Sequence, residues 1–376
     1  MTNNTQPQQI SLFDAPENRG ASTRERERER ERRWLRHVYN NIAANQQLSH
    51  ETTFLAITSF ENLLISWQEF LSGKRKRADV AEFALSFMDN LLDIHRDLQA
   101  KTYRHGSYQA FKINDPKPRH IHKASVRDRL VHHALYRVLY PYFDRQFIYD
   151  SYSCRKNKGT HRAMNRFRRF VWKVSRNHSR TVWVLKCDVR KFFASIDHFR
   201  LKAILGRHIP DQNVLQLLGQ VIDSFQTDEK SGVGLPLGNL TSQLLINVYM
   251  NEFDQFVKHR LKIKHYIRYA DDFVILSADR QTLVKLLPEI NEFLARELSL
   301  TLHPHKVSIK TLASGVDFLG WVHFPDHRIL RATTRRRMSR KLADEHSEES
   351  RQSYLGILEH GNSWKIKAKL FTQQLL

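Results

Sequence analysis

The stretch "IRYADDFVILS", residues 267–277, sets Asp271 and Asp272 side by side in an otherwise apolar run. A third acid, Asp188, sits near the end of a second apolar run, "TVWVLKCDV", residues 181–189. Like charges crowded into one low-dielectric spot repel, so a cation is expected there. If the strands that carry these acids pair, three carboxylates converge at sheet ends and make a hard-oxygen cage suited to Mg²⁺. Two such ions about 3.5–4 Å apart clamp the attacking and leaving oxygens of an in-line phosphoryl transfer.

Positioning three acids this way requires particular elements. "HYIRYADDFVILS" divides into two short apolar runs around Ala270–Asp271, the pattern of a β-hairpin with acids at its tip. The run 181–189 reads as a buried strand. Helical periodicity covers about 52–72 and 79–100, and Val126, Leu130, Val131, Ala134, Leu135, Val138 and Leu139 continue it. Residues 107–125 read as two short strands around a Pro-containing turn. Helices are expected at 160–177 (very basic, with an aromatic stripe), 198–206, 211–226, after the Gly-rich "GVGLPLGNLTSQ", and at 280–298. A strand pair near 306–323 and a basic helical tail complete the chain. Strands and helices alternating in this way imply an α+β body.

The bulk composition names the partner class. Lys and Arg total 61 against 39 Asp and Glu, for a net charge of +22 in 376 residues. That excess points to a polyanion, nucleic acid before membrane. Two cysteines, Cys154 and Cys187, make no disulfide framework and no zinc pair, which fits a reducing cytoplasm. No apolar run is long enough to span a bilayer, and the polar N-terminus lacks a signal-peptide core. Residues 1–22, rich in Asn, Gln, Pro and Ser, read as disordered. The alternating "RERERERERRWLRH" that follows reads as a solvated leader to the first helix.

These motifs together resemble the reverse transcriptases, over roughly residues 50–330. "YADD" resembles their catalytic motif, and "LKCDVRKFFASIDH" (185–198) their first acidic motif. "PKPRHI" with "ASVRDRLVHHALYRVL" resembles the fingers, "GLPLGNLTSQ" the template-facing loop and helix, and "LHPHKVSI" with "VDFLGW" the later palm motifs. The resemblance implies a right-hand polymerase fold. Its parts would be an N-terminal helical extension at 23–105, fingers at 106–180, a catalytic palm at 181–325 and a small basic helical thumb at 326–376. It also implies metal ligation by Asp188, Asp271 and Asp272 with the Val189 carbonyl, for two Mg²⁺ ions that Mn²⁺ could replace. Lys117 and Arg119 would grip the triphosphate, and Phe193 would exclude a ribose 2′-hydroxyl. Lys306 would protonate the pyrophosphate leaving group, and Tyr269, Phe318, Leu319 and Gly320 would meet the primer. Asp197 reads as a helix N-cap, not as a catalyst.

One departure is specific. Most of the family carries Gln-Gly with a later Ser-Pro in the template-facing loop, whereas this chain has Leu237-Gly238 and Ser242-Gln243. That pattern resembles the enzymes of diversity-generating retroelements, which copy a template RNA into cDNA with errors opposite adenine. Leu237, Gly238 and Gln243 would then face the incoming nucleotide. The resemblance implies template RNA, a primer and deoxynucleotides as ligands, and a small basic helical accessory protein as partner. "QISLF", with Gln9, Leu12 and Phe13, resembles the pentapeptide that docks replication proteins on the sliding clamp. The alternatives are a group II intron-like, retron or phage-defence reverse transcriptase of ordinary fidelity, and a non-enzymatic RNA-binding scaffold.

Overall fold

The computed structural model describes residues 48, 53–114, 118–227, 231–344 and 348–371. Gln9, Leu12, Phe13 and Lys117 lie outside the described residues.

Four helices open the described chain: α1 (Thr53–Thr58), α2 (Phe60–Phe70), α3 (Ala78–Leu85) and α4 (Phe87–Gln99). Ser59 separates the first two and caps α2, its hydroxyl accepting from Asn62 N at 3.2 Å. A solvent-exposed hairpin follows, β1 (Gln109–Ile113) against β2 (Arg119–Lys123), in antiparallel register from Gln109↔Lys123 to Ile113↔Arg119. Next come α5 (Val126–Gln146), capped by Ser125, and the basic α6 (Thr160–Val174). All seven periodic apolar residues of α5 are buried.

The central strand β3 (Trp183–Asp188) leads to α7 (His198–His208), α8 (Gln212–Asp223) and α9 (Leu240–Gln255), which unwinds through one π-helical turn at Phe256–Arg260. Asp197 does cap α7, accepting from Arg200 N at 2.9 Å. Asp211 caps α8 and also accepts from Phe54 N at 2.9 Å, which ties α1 to the helical layer. The hairpin β4 (Tyr266–Tyr269) and β5 (Asp272–Ser277) precedes α10 (Arg280–Leu298).

The region 306–323 holds the expected strand pair and one strand more. Its first strand, β6 (Ser308–Thr311), pairs with β3. The chain then turns at Leu312–Ser314 and at Gly315, where φ is +82°. It re-enters as a separate meander of β7 (Val316–Phe318), β8 (Trp321–His323) and β9 (Arg328–Leu330). β6 is taken up as an edge partner of β3, whereas β7 finds its partner in β8. Helices α11 (Ala332–Asp344), α12 (Glu348–Leu358) and α13 (Trp364–Phe371) end the described chain.

The main sheet has the order β4-β5-β3-β6, with every neighbouring pair antiparallel. Side chains alternate across it, as the two-residue strand period requires. Leu185, Cys187, Phe273 and Ile275 join the large core that also holds α5 and α7–α10. Val184, Ile267, Val274 and Leu276 pack on the other side with Phe167, Phe170 and Val171 of α6. Burial of side chains this size contributes about 1.5–3 kcal/mol each. That is what seats so basic a helix against the sheet.

Candidate active site

Antiparallel register sets the geometry of the acids. Asp188, the last residue of β3, pairs with Asp272, the first residue of β5, while Tyr269 pairs with Asp272 across the hairpin. A two-residue turn, Ala270–Asp271, joins β4 to β5, and Ala270 adopts the left-handed conformation at φ +55°. The tip is tied down from both sides. Val189 N donates to Asp271 O at 3.2 Å, and His303 N donates to Asp188 O at 2.7 Å.

Two lysines face the acids. Lys306 Nζ lies 2.8 Å from Asp188 Oδ1, and Lys186 Nζ lies 3.6 Å from Asp272 Oδ2 while donating to Asp317 O at 2.6 Å. Burial, followed by the charges of Asp188 and Asp271, pushes the Asp272 carboxyl up to about 7, against the pull of Lys186. Asp271 is also raised, by burial first and then by Asp188, with Lys306 and Arg119 opposing.

The hairpin rests on a buried ion pair that the sequence reading missed. Arg268 of β4 and Asp254 of α9 are both fully buried. Arg268 Nε and Nη2 donate to Asp254 Oδ1 and Oδ2 at 2.8 and 2.7 Å, the two-pronged pairing of guanidinium with carboxylate. Its remaining donors reach Asn247 Oδ1, Ser151 Oγ and the Ala270 carbonyl at 3.3, 3.1 and 3.1 Å. Tyr266 Oη also donates to Asp254, at 2.7 Å. The last Arg268 bond fixes the turn that carries Asp271. A cue was present in the sequence: a lone Arg inside an otherwise buried strand demands an internal acid.

The other candidate residues fall as follows. Arg119 is exposed at the start of β2, close enough to Asp271 to act on its carboxyl. Phe192 is core, and Phe193 stands half-buried at 5.8 Å in an edge-to-face contact with it. The Leu237 carbonyl accepts from His122 N at 3.1 Å, docking the loop on β2. Gly238 (φ +110°) leaves no room for a side chain, since a Cβ there would stand 2.9 Å from Ile121 Cγ2. Gln243 lies half-buried in the first turn of α9. Tyr269 Oη accepts from Thr160 Oγ1 at 3.2 Å. Phe318 is fully buried under the β7–β8 turn, so only Leu319 and Gly320, both at positive φ, project from it. They line a groove of about 1280 Å³ together with Arg119, His161, Trp321 and Arg331, Arg336, Arg337 and Arg340.

The donor set fits a hard divalent cation. Asp272 Oδ1 is shut off from solvent and has no hydrogen-bond partner among the described residues, which is costly unless a cation or donor reaches it. As the side chains stand, no three His, Cys, Asp or Glu among the described residues are gathered to hold an ion. Asp188 is instead turned to Lys306.

Residues 112–323 match the family described as reverse transcriptase (RNA-dependent DNA polymerase). The chain is similar to protein YkfC of Escherichia coli, 26% identical over 247 residues, covering 56% of this chain and 63% of that protein. It is also similar to the group II intron-encoded protein LtrA of Lactococcus lactis, 22% identical over 292 residues, covering 60% and 47%. The chain thus spans less than two thirds of the length of either relative. Among solved structures, telomerase from Candida albicans is similar at a TM-score of 0.44 and 10% identity, covering 61% of this chain and 47% of that one. Among the described residues, no helix is long and apolar enough to cross a membrane.

Proposed function

Because the chain belongs to the reverse transcriptase family, we propose that it is an RNA-directed DNA polymerase whose acids are Asp188, Asp271 and Asp272. The supporting observation is their register: two strand ends and a hairpin tip bring them together beside a groove lined with arginines. Mg²⁺ held by these carboxylates and the Val189 carbonyl would supply activation of a primer 3′-hydroxyl and neutralisation of the triphosphate. Arg119, with Lys117, grips the triphosphate, and Lys306 supplies a proton to the leaving pyrophosphate. Phe193 selects deoxynucleotides. Tyr269 and the Leu319–Gly320 turn hold the primer end, with the buried Phe318 supporting that turn. In the division that follows from this reading, 106–180 serve as fingers, 181–325 as palm and 326–376 as thumb.

The finer reading is error-prone copying at template adenines, as in diversity-generating retroelements. Its support is the Leu237-Gly238 loop and Gln243. At Leu237 an aliphatic side chain replaces an amide that could hydrogen-bond near the nucleotide, a loss of about 1 kcal/mol in fixing its position. In that setting the template is a retroelement RNA and a small basic accessory protein assists synthesis.

The deciding experiment is primer extension on a defined RNA with Mg²⁺, followed by sequencing of the cDNA. Errors concentrated at adenines support the diversifying reading. Even, low error moves the enzyme to the intron, retron or defence types. Absence of synthesis, with and without the accessory protein, overturns the polymerase reading.

A further inference from the structure

Residues 151–187 contain no Asp or Glu, while ten Lys and Arg fall between Arg155 and Arg180. The primer and nucleotide contacts proposed above do not use most of this charge. Helix α6 starts beside the catalytic hairpin, where Thr160 bonds to Tyr269. Trp172 lies twelve residues further along, about 18 Å away at the helical rise. There Phe170 meets His265, at the opposite end of the sheet from the acids.

The outward face of this far end is built in an unusual way. Arg169 and Arg176 are exposed there, seven residues apart, and the exposed Arg162 continues their row back toward the catalytic end of the helix. Among the described residues no carboxylate pairs with Arg169, Lys173 or Arg176, whereas the neighbouring Arg166 is neutralised by Asp150 at 2.7 Å. Trp172 sits in the row with 54% of its surface exposed.

Its ring is held in place. Trp172 Nε1 donates to Asn177 Oδ1 at 2.7 Å. Asn177 reaches it because Arg176, Asn177 and His178 all adopt left-handed backbone, at φ +49°, +56° and +64°. Three consecutive non-glycine residues in that region are unfavourable. The fold tolerates them while anchoring an exposed indole between arginines. A cavity of about 340 Å³ flanks the same helix at Arg168, and there Arg328 Nη1 is buried with no hydrogen-bond partner among the described residues.

We propose that the outer face of α6 and its left-handed turn form a second nucleic-acid site, separate from the catalytic groove, that binds single-stranded RNA. Trp172 stacks on a base, and Arg162, Arg169, Lys173 and Arg176 track the backbone, the combination by which proteins hold single strands. The choice of RNA over DNA rests on the polymerase reading. The site itself rests on the charge and the anchored ring.

The test uses the full chain and two probes, a 20-nucleotide single-stranded RNA and a short primer–template duplex with a two-nucleotide overhang. Trp172→Ala and the double variant Arg169→Gln/Arg176→Gln should weaken the 20-mer about tenfold. The double variant should also flatten its salt dependence by roughly 1.4 in log–log slope, about 0.7 per lost phosphate contact. Binding and extension of the short duplex should not change. Asn177→Gly, which relieves the positive φ but releases the indole, should weaken the 20-mer without lowering Tm.

Unchanged 20-mer affinity in all variants overturns the site. Equal loss on both probes also overturns it, since the effect would then belong to the groove or the fold. A DNA 20-mer bound and weakened to the same degree overturns the assignment to RNA. Binding is read without catalysis, so an inactive polymerase leaves this result interpretable.

Discussion

Lys306 Nζ stands 2.8 Å from Asp188 Oδ1, so an ammonium group already occupies one of the three carboxylates on which metal binding would depend. Lysine and divalent cation compete for the same oxygen. Two consequences of removing the lysine can be separated.

Lys306→Met should lower kcat by about 10²-fold or more, the usual scale for a lost general acid. It should also lower the Mg²⁺ concentration needed for half-maximal extension, because Asp188 is then free. A Mg²⁺ titration of single-turnover extension checks both. A higher Mg²⁺ requirement would show that Lys306 does not compete for Asp188.

Asp254→Ala should destabilise the chain by about 3–5 kcal/mol, since it leaves Arg268 charged, buried and unpaired. The paired replacement Asp254→Leu/Arg268→Met should recover much of that loss but not the activity, because the bond to the Ala270 carbonyl is gone. Denaturant melts and kcat, compared across the two variants, separate stability from positioning. Full activity in the folded double variant would remove Arg268 from any role at the tip.

Asp272 predicts a pH signature. Its carboxyl titrates near 7 in the folded chain and near 4 when unfolded. Between these values the unfolded state gives up its proton first, so this group's contribution to stability falls as pH rises from about 4 to 7 and is constant above. Asp272→Asn should therefore raise Tm of the metal-free protein at pH 8 and change it little at pH 4.5. The ceiling on the gain is roughly 4 kcal/mol. Thermal melts in chelator at the two pH values measure it, and a difference independent of pH contradicts the assignment.

Leu237→Gln restores an amide to the loop that docks on β2. It should reduce misincorporation opposite adenine by several-fold and leave errors at other bases less affected. Sequencing of cDNA made by both forms reads this directly. An unchanged spectrum removes Leu237 from the explanation.

Much of this arrangement was legible because apolar runs and acids coincide. The strand ending on Asp188 and the hairpin around Ala270–Asp271 follow from short apolar runs, and helix 280–298 begins at its Asp279 cap. Other parts depend on partners far away in the chain. Asp254 is one acid in a helix of mixed sequence, and nothing local says that it meets Arg268. The region 306–323 reads as a strand pair, and nothing local says that its first strand, β6, is claimed by β3 from far earlier in the chain. The left-handed turn at Arg176–His178 has no glycine to announce it.

The pairing of Asp188 with Asp272 joins positions roughly 80 residues apart in the chain, and closing a loop of that length carries an entropic cost that local helices do not bear. On a ribosome, α1–α9 can form before β5 has left the exit tunnel, but the two halves of the acidic site cannot meet until it has. A nascent chain therefore displays a strongly basic surface before the three carboxylates of the candidate site can meet.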